Sequence, residues 1–183
     1  MRKVIYLDID DTLLDTEGYI RRNLIGGRPF TGSIYTLGTS RLNGYFCPNN
    51  YKKIPFKEGA LDVLKILSQD YEIILASCCQ TVEESISKRN LARSLGKRVI
   101  LCRGNDKSNI DMNGAIFIDD RSDILASSNA SYKIRMYNAY TEGYQLPLKT
   151  CDLVHSWYDI LDSLENTDTD TSILGDYLSL LSR

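Results

Sequence analysis

Short runs of apolar and β-branched residues recur along this chain, and segments with helical periodicity separate most of them. The runs predict strands over residues 3–9, 71–77, 98–102, 115–119 and 132–136. Helices are predicted over residues 57–69, 122–128 and 157–164, and from a capping box at Thr81 and Glu84 to about Leu95, where Gly96 ends the helix. Strands that alternate with helices form a parallel sheet with helices on both faces. The pattern therefore predicts a Rossmann-like, three-layer α/β/α fold with a mainly parallel sheet.

Residues 17–55 interrupt this pattern. They hold six of the 12 glycines and have no sustained period of 3.6 residues, which predicts turns and short strands. Six basic side chains against Glu17 give the segment a net charge of +5 and leave −7 on the rest of the chain: Arg21, Arg22, Arg28, Arg41, Lys52 and Lys53. We interpret the segment as a small cap inserted into a core of residues 1–16 and 56–165.

The ends of the chain and its composition narrow the class of protein. Residues 166–183 predict a polar linker and a C-terminal helix, whose apolar stripe either packs on the core or forms a homodimer. The net charge of −2 gives no global attraction to nucleic acid, and the apolar runs are too short to cross a membrane. Five cysteines without zinc-site spacing predict reduced thiols and a cytoplasmic protein.

Acidic residues gather where two predicted strands end. Asp8, Asp10 and Asp11 follow the first strand, and Asp119 and Asp120 end a later one. Ligands bind at the carboxyl ends of the strands of an open parallel sheet, so both groups are expected at one edge. Because gathered carboxylates repel one another, the arrangement predicts a divalent cation with oxygen ligands, most simply Mg²⁺.

Two further strand ends carry groups that bind phosphate. Ser77 precedes a predicted helix, and Lys107 lies in the loop that begins at Arg103. A hydroxyl and helix N-terminal amides hold phosphate oxygens, and a lysine neutralises the charge of a phosphoryl group in transfer. Together with the acids, these are the components of an enzyme that forms an aspartyl-phosphate.

The same residues resemble the haloacid dehalogenase-like (HAD) phosphohydrolases, over residues 3–17 and 56–165. Asp8-Ile9-Asp10-Asp11-Thr12 resembles the first motif of that superfamily, Ser77 the second, Lys107 the third, and Asp119 with Asp120 the fourth. Within the superfamily, the 5′(3′)-deoxyribonucleotidases are the most similar group. Two stretches carry this resemblance: residues 101–124, LCRGNDKSNIDMNGAIFIDDRSDI, and the closing Trp157-Tyr158-Asp159-Ile160. Members of that group carry a mostly helical cap, unlike the turns and strands predicted here.

The resemblance implies a Mg²⁺-dependent phosphomonoesterase that acts on a small phosphorylated substrate, first of all a nucleoside monophosphate. Asp8 would be the nucleophile, and Asp10 would protonate the leaving oxygen and then deprotonate water. The metal would be held by Asp8, the carbonyl of Asp10, Asp119 and Asp120. The phosphate would contact Thr12, Ser77, Cys78 and Lys107, and the rest of the substrate would contact Arg103.

Two alternatives remain open at this stage. The same chemistry would serve a phosphate at a nucleic-acid end or on a protein, which the +5 insertion would suit. Nucleic acid is expected only as a substrate of that kind. A non-enzymatic, phosphate-responsive domain is less consistent with the sequence, because receiver domains carry the acidic pair on the first strand and the phosphorylated aspartate on a later one.

Overall fold

The computed structural model describes residues 2–24, 34 and 39–165. The strands of this part are β1 (Lys3–Leu7), β2 (Tyr71–Cys79), β3 (Arg98–Arg103), β4 (Ile116–Asp119), β5 (Tyr132–Met136) and β6 (Asp152–Val154). The helices are α1 (Thr16–Leu24), α2 (Thr39–Phe46), α3 (Pro48–Tyr51), α4 (Ala60–Asp70), α5 (Val82–Ser94), α6 (Ser122–Ser127) and α7 (Trp157–Glu165).

All six strands form one parallel sheet in the order β3-β2-β1-β4-β5-β6. The chain adds strands outward on one side of β1 and then returns to add β4, β5 and β6 on the other side. The strand order therefore reverses between β1 and β4. Open α/β sheets bind their ligands at such a switch point, outside the carboxyl ends of the strands.

The two faces of the sheet are covered unequally. One face buries Leu7, Leu75 and Ile118 in a core that includes side chains from α4, α5 and α7. The other face buries Phe117 under α6 and the segment that precedes β4. The predicted α/β architecture with a parallel sheet is confirmed.

Most of the predicted elements are present, with ends that move by one to three residues. The predicted cap of α5 is confirmed: the Thr81 hydroxyl accepts a hydrogen bond from the Glu84 amide at 3.1 Å, and Gly96 has a φ of +63°. On α4, Val63 is fully buried, whereas Leu61 is 46% exposed. The strand β6 was not predicted, because three residues at a sheet edge are too few to show a period.

The described part of the insertion is helical, so the prediction of turns and short strands is wrong there. Its helices α1, α2 and α3 have nine, eight and four residues, which is too short for a 3.6-residue repeat to stand out. They are held instead by tertiary contacts, since Ile20, Leu42, Phe46 and Tyr51 are all buried in the main core. The boundaries of the cap stay a prediction.

The predicted C-terminal linker and helix, 166–183, lie outside the described residues. Within the described ranges, no helix has both the length and the apolar character needed to span a bilayer. All five cysteines are free thiols.

Candidate active site

The fold brings the predicted acids together at the switch point. Asp8 follows β1, and its amide donates to the Ile118 carbonyl of β4 at 2.9 Å, which places it level with Asp119. One carboxylate oxygen from each of Asp8, Asp119 and Asp120 lies within 4.8 Å of the others. All three side chains are buried. We refer to these three residues as the acid cluster.

Lys107 is the cation of the acid cluster. Its Nζ lies 2.5 Å from Asp8 Oδ1 and 2.6 Å from Asp119 Oδ2, and its side chain is only 3% exposed. Burial by itself would lower the pKa of this lysine, but the carboxylates of Asp119 and Asp8 outweigh burial and hold the pKa above its ordinary value. Lys107 is therefore a fixed positive charge.

One lysine does not neutralise three buried carboxylates. Burial is the main reason why the pKa of Asp119 rises to about 6, and the nearby Asp8 raises it further while Lys107 lowers it. The pKa of Asp120 lies well above its ordinary value, through burial and through its acidic neighbours. Its only described hydrogen-bond partner is the amide of Asn138, at 3.0 Å. A divalent cation with oxygen ligands fits this excess of negative charge, so the residues present are suited to Mg²⁺.

The loop after β1 is held in a specific conformation. Asp11 has a φ of +61°, and its carboxylate accepts the Glu17 amide at 2.7 Å. Burial is the main cause of a pKa of about 8 at Asp11. The indole Nε1 of Trp157, on α7, donates to the Thr12 carbonyl at 3.0 Å and so ties the loop to the core. Thr12 is fully buried, and its hydroxyl has no partner among the described residues, so its predicted contact with phosphate stays a prediction.

Asp10 has surroundings quite different from those of Asp8. Its carboxylate lies outside the acid cluster; Oδ1 accepts hydrogen bonds from Thr16 Oγ1 and Tyr51 OH, both at 2.9 Å. Its Oδ2 lies 2.6 Å from Nζ of Lys88, a buried residue of α5. The two aspartates of the D-x-D motif thus face different partners. Coordination of a metal by the Asp10 carbonyl stays a prediction.

The sequence did not identify these three partners of Asp10. Tyr51 is one of six aromatic residues in the insertion, and its residue type alone does not single it out. Lys88 had one usable signal, because it follows Glu84 of the capping box by four residues and therefore lies on the same helix face. Nothing local to Thr16 or Tyr51 indicated a contact with Asp10.

Ser77 and Cys78 lie in β2, beside the acid cluster. Ser77 is 1% exposed, and its hydroxyl accepts a hydrogen bond from Lys88 Nζ at 3.1 Å. Burial raises the pKa of the Cys78 thiol to about 12, so this thiol stays neutral and is a poor nucleophile. Contacts of both residues with phosphate remain predictions.

The predicted positively charged residues differ in whether an acid already neutralises them. Arg103 ends β3 with an exposed side chain that makes no ion pair with the described acids. In the insertion, Arg21 pairs with the buried Glu17 at 2.6 Å, and Arg22 pairs with Asp15 at 2.8 Å. These two arginines therefore contribute little net positive charge toward a substrate.

An open cleft lies beside the loop after β1, near the end of the insertion. It has a volume of about 510 Å³ and is lined by residues that include Phe56, Lys57, Met136, His155 and Trp157. No member of the acid cluster lines it. The acid cluster, and not this cleft, therefore marks the position of the candidate active site.

No protein-family model and no curated protein sequence matches this chain. Solved structures do match it. The HAD-hydrolase YfnB from Bacillus subtilis, in a magnesium-bound crystal, has a TM-score of 0.58 at 12% identity over 89% of this chain and 98% of YfnB. A haloacid dehalogenase-like family protein from Streptococcus pneumoniae has a TM-score of 0.54 at 16% identity, over 89% of this chain and 98% of its own.

A third structure is a haloacid dehalogenase-like hydrolase from Burkholderia xenovorans, with a TM-score of 0.54 at 15% identity over 87% of this chain and 95% of its own. Identities this low establish architecture alone. The chain therefore has the fold of the haloacid dehalogenase-like hydrolases.

Proposed function

We propose that this protein is a Mg²⁺-dependent phosphomonoesterase that forms an aspartyl-phosphate on Asp8 and acts on nucleoside monophosphates. The observation that carries the proposal is the division of labour within the D-x-D motif. Asp8 lies in the acid cluster beside Lys107, whereas Asp10 lies outside it among hydroxyl and lysine partners. Two carboxylates with separate environments suit two separate roles, a nucleophile and an acid–base group.

In the first step, a carboxylate oxygen of Asp8 attacks phosphorus and forms a new O–P bond. The ester P–O bond breaks, and Asp10 donates a proton to the departing oxygen, so that the alcohol leaves neutral. Lys107 is positioned to neutralise charge on the phosphoryl group because it already contacts Asp8.

In the second step, water attacks the aspartyl-phosphate. Asp10, ionised by the first step, accepts a proton from this water as its oxygen bonds to phosphorus. The bond between phosphorus and the Asp8 oxygen then breaks, which releases inorganic phosphate and restores the Asp8 carboxylate and the protonated form of Asp10.

The acid cluster, Asp8, Asp119 and Asp120, would hold the Mg²⁺. When bound, the ion would offset the negative charge of the cluster and of the phosphate. Ser77, which is buried and accepts a hydrogen bond from Lys88, would hold a phosphate oxygen through its hydroxyl.

A nucleoside monophosphate is the substrate that fits best. The loop and strand sequence before Asp119 resembles the 5′(3′)-deoxyribonucleotidases, and the helices in the described part of the insertion agree with the mostly helical cap of that group. A nucleic-acid end has less support, because Arg21 and Arg22 are already ion-paired. The five free thiols agree with a reducing, cytoplasmic setting.

A phosphate-release screen tests this proposal. Purified protein with Mg²⁺ is supplied with nucleoside 5′- and 3′-monophosphates, sugar phosphates, a phosphoserine peptide and a 5′-phosphorylated oligonucleotide. We expect the highest kcat/KM with a nucleoside monophosphate, no turnover by Asp8→Asn, and normal turnover by Asp123→Asn, which alters an exposed aspartate outside the acid cluster. Preference for the oligonucleotide or peptide would refute the substrate, and an active Asp8→Asn variant would refute the mechanism.

A further inference from the structure

Lys88 is a buried lysine that the proposed mechanism does not use. It lies near the middle of α5, and its side chain is 2% exposed. Burial by itself would lower its pKa, but the carboxylates of Asp10 and Glu84 raise the pKa above its ordinary value. The fold therefore keeps a second ammonium group close to the site, in addition to Lys107.

The ammonium of Lys88 is surrounded by acceptors. Its Nζ lies 2.6 Å from Asp10 Oδ2, 2.8 Å from Glu84 Oε1 and 3.1 Å from Ser77 Oγ, and it also donates to the Cys78 carbonyl. An ammonium has three hydrogens and no acceptor. Four acceptors therefore occupy it fully, so Lys88 acts through its protein partners and does not bind substrate directly.

Glu84 fixes where the ammonium of Lys88 lies. Its Oε2 accepts the backbone amide of Gln80 at 2.7 Å at the start of α5, while its Oε1 pairs with Lys88 one helical turn later. The first turn of α5 is in turn held by the Thr81 cap. The lysine thus extends from a rigid helix start toward Asp10 and Ser77.

The opposite side of Asp10 is also held. Thr16, at the start of α1, and Tyr51, at the end of α3, both donate to Oδ1, while Lys88 contacts Oδ2. Both helices belong to or border the insertion, which packs on α5: the Ser87 hydroxyl donates to the Phe46 carbonyl at 2.6 Å. Three elements therefore set the orientation of one carboxylate.

We propose that Lys88 is a positioning residue that orients the acid–base carboxylate of Asp10 and links it to the Ser77 hydroxyl. This inference rests on the proposed function, since it assigns Lys88 a role through Asp10. Removal of the lysine leaves Asp10 Oδ2 without its partner. The carboxylate of Asp10 can then rotate while its Oδ1 keeps the hydrogen bonds from Thr16 and Tyr51. Proton transfer to the leaving oxygen then loses its alignment, whereas attack by Asp8 keeps its own partner, Lys107.

The test compares two substrates that need the proton to different extents. A p-nitrophenolate leaves readily without protonation, whereas the phenolate of phenyl phosphate is a poorer leaving group and depends more on the acid. For Lys88→Met we expect kcat with phenyl phosphate to fall at least about tenfold more than kcat with p-nitrophenyl phosphate, because a general acid contributes about 10²–10⁴-fold. KM should change by less than about threefold, since Lys88 holds no substrate.

A double-mutant cycle shows whether the effect passes through Asp10. In an Asp10→Asn background, Lys88→Met should lower kcat further by less than about threefold, because residues that act as a unit are not additive. The matched control is Lys97→Met, which removes a partly buried lysine that donates to Ser68 far from the site, and which should change neither kcat.

A charge-matched variant is the control for misfolding. Lys88→Met leaves two buried carboxylates without their cation, so Glu84→Gln/Lys88→Met removes one of each charge and should show the same selective loss. Equal losses with both substrates, or full additivity with Asp10→Asn, would overturn the role of Lys88 while wild-type turnover left the proposed function intact. A wild-type protein without phosphatase activity would instead refute the proposed function, and the role of Lys88 with it.

Discussion

The acid cluster should make the stability of the metal-free protein depend on pH in an unusual direction. Asp119 has a pKa of about 6 in the folded protein against an ordinary value of 3.8. The folded state therefore binds this proton more tightly than the unfolded state. Between these two values, the free energy of unfolding must fall as pH rises. Asp11 and Asp120 act in the same direction, since burial raises the pKa of both.

The size of the effect follows from the pKa of Asp119. The linkage relation gives a loss on the order of 1 kcal/mol between about pH 5 and about pH 7.5 from this residue. For a chain of this length, a loss of that size lowers Tm by roughly 2–4 °C. Saturating Mg²⁺ should reduce this fall, because the metal binds the ionised carboxylates and stabilises the folded state more at the higher pH.

Thermal unfolding in EDTA and in excess Mg²⁺, at both pH values, measures the change of Tm with pH. The Asp119→Asn variant should lose the part of this change that comes from Asp119. The Asp123→Asn variant should keep the full change, because Asp123 is half exposed and paired with Arg121. Hydrogen bonds lower the pKa values of the exposed aspartates Asp106, Asp111 and Asp159, so these groups stay ionised throughout this range and do not interfere. If the EDTA-treated protein were more stable at about pH 7.5 than at about pH 5, the assignment of buried, poorly neutralised carboxylates would be wrong.

Four further predictions follow from the site. Asp8→Asn should abolish turnover without loss of Tm, because it removes the nucleophile and relieves acid repulsion; beryllofluoride should label the wild type at this residue and not the variant. Chelation should remove activity, Mg²⁺ should restore it and Ca²⁺ should not, and full turnover in excess EDTA would exclude the metal. Trp157→Phe should lower the free energy of unfolding by about 2 kcal/mol, because the buried Thr12 carbonyl loses its donor, and urea unfolding measures this loss. The kcat of this variant should also fall under conditions in which the variant is fully folded, which steady-state kinetics without urea measures. Lys52→Glu/Lys53→Glu reverses two exposed charges of the insertion and should lower kcat/KM for an anionic substrate mainly at low salt, whereas an unchanged salt dependence would remove the insertion from any steering role.

The chemistry of the acid cluster could be predicted from the sequence because its members end strands. A buried strand is recognisable from local composition, and parallel strands bring their carboxyl ends to one edge. Asp8, Asp119 and Asp120 were therefore expected together, and the structure places them within 4.8 Å of one another. The cap of α5 was equally local, since Thr81 and Glu84 lie three residues apart.

The insertion could not be predicted in the same way. Its short helices have little periodic signal of their own, and burial of Phe46 and Tyr51 against the rest of the chain stabilises them. The surroundings of Asp10 also depend on contacts between distant residues: Tyr51 is 41 positions away along the chain, and Trp157 reaches the loop from 145 positions away. The sequence by itself determined which groups end the strands, because strand propensity and the D-x-D spacing are local. Only the tertiary structure decided which of those carboxylates meets a lysine, a tyrosine or a threonine, because each of these contacts depends on how separate elements pack.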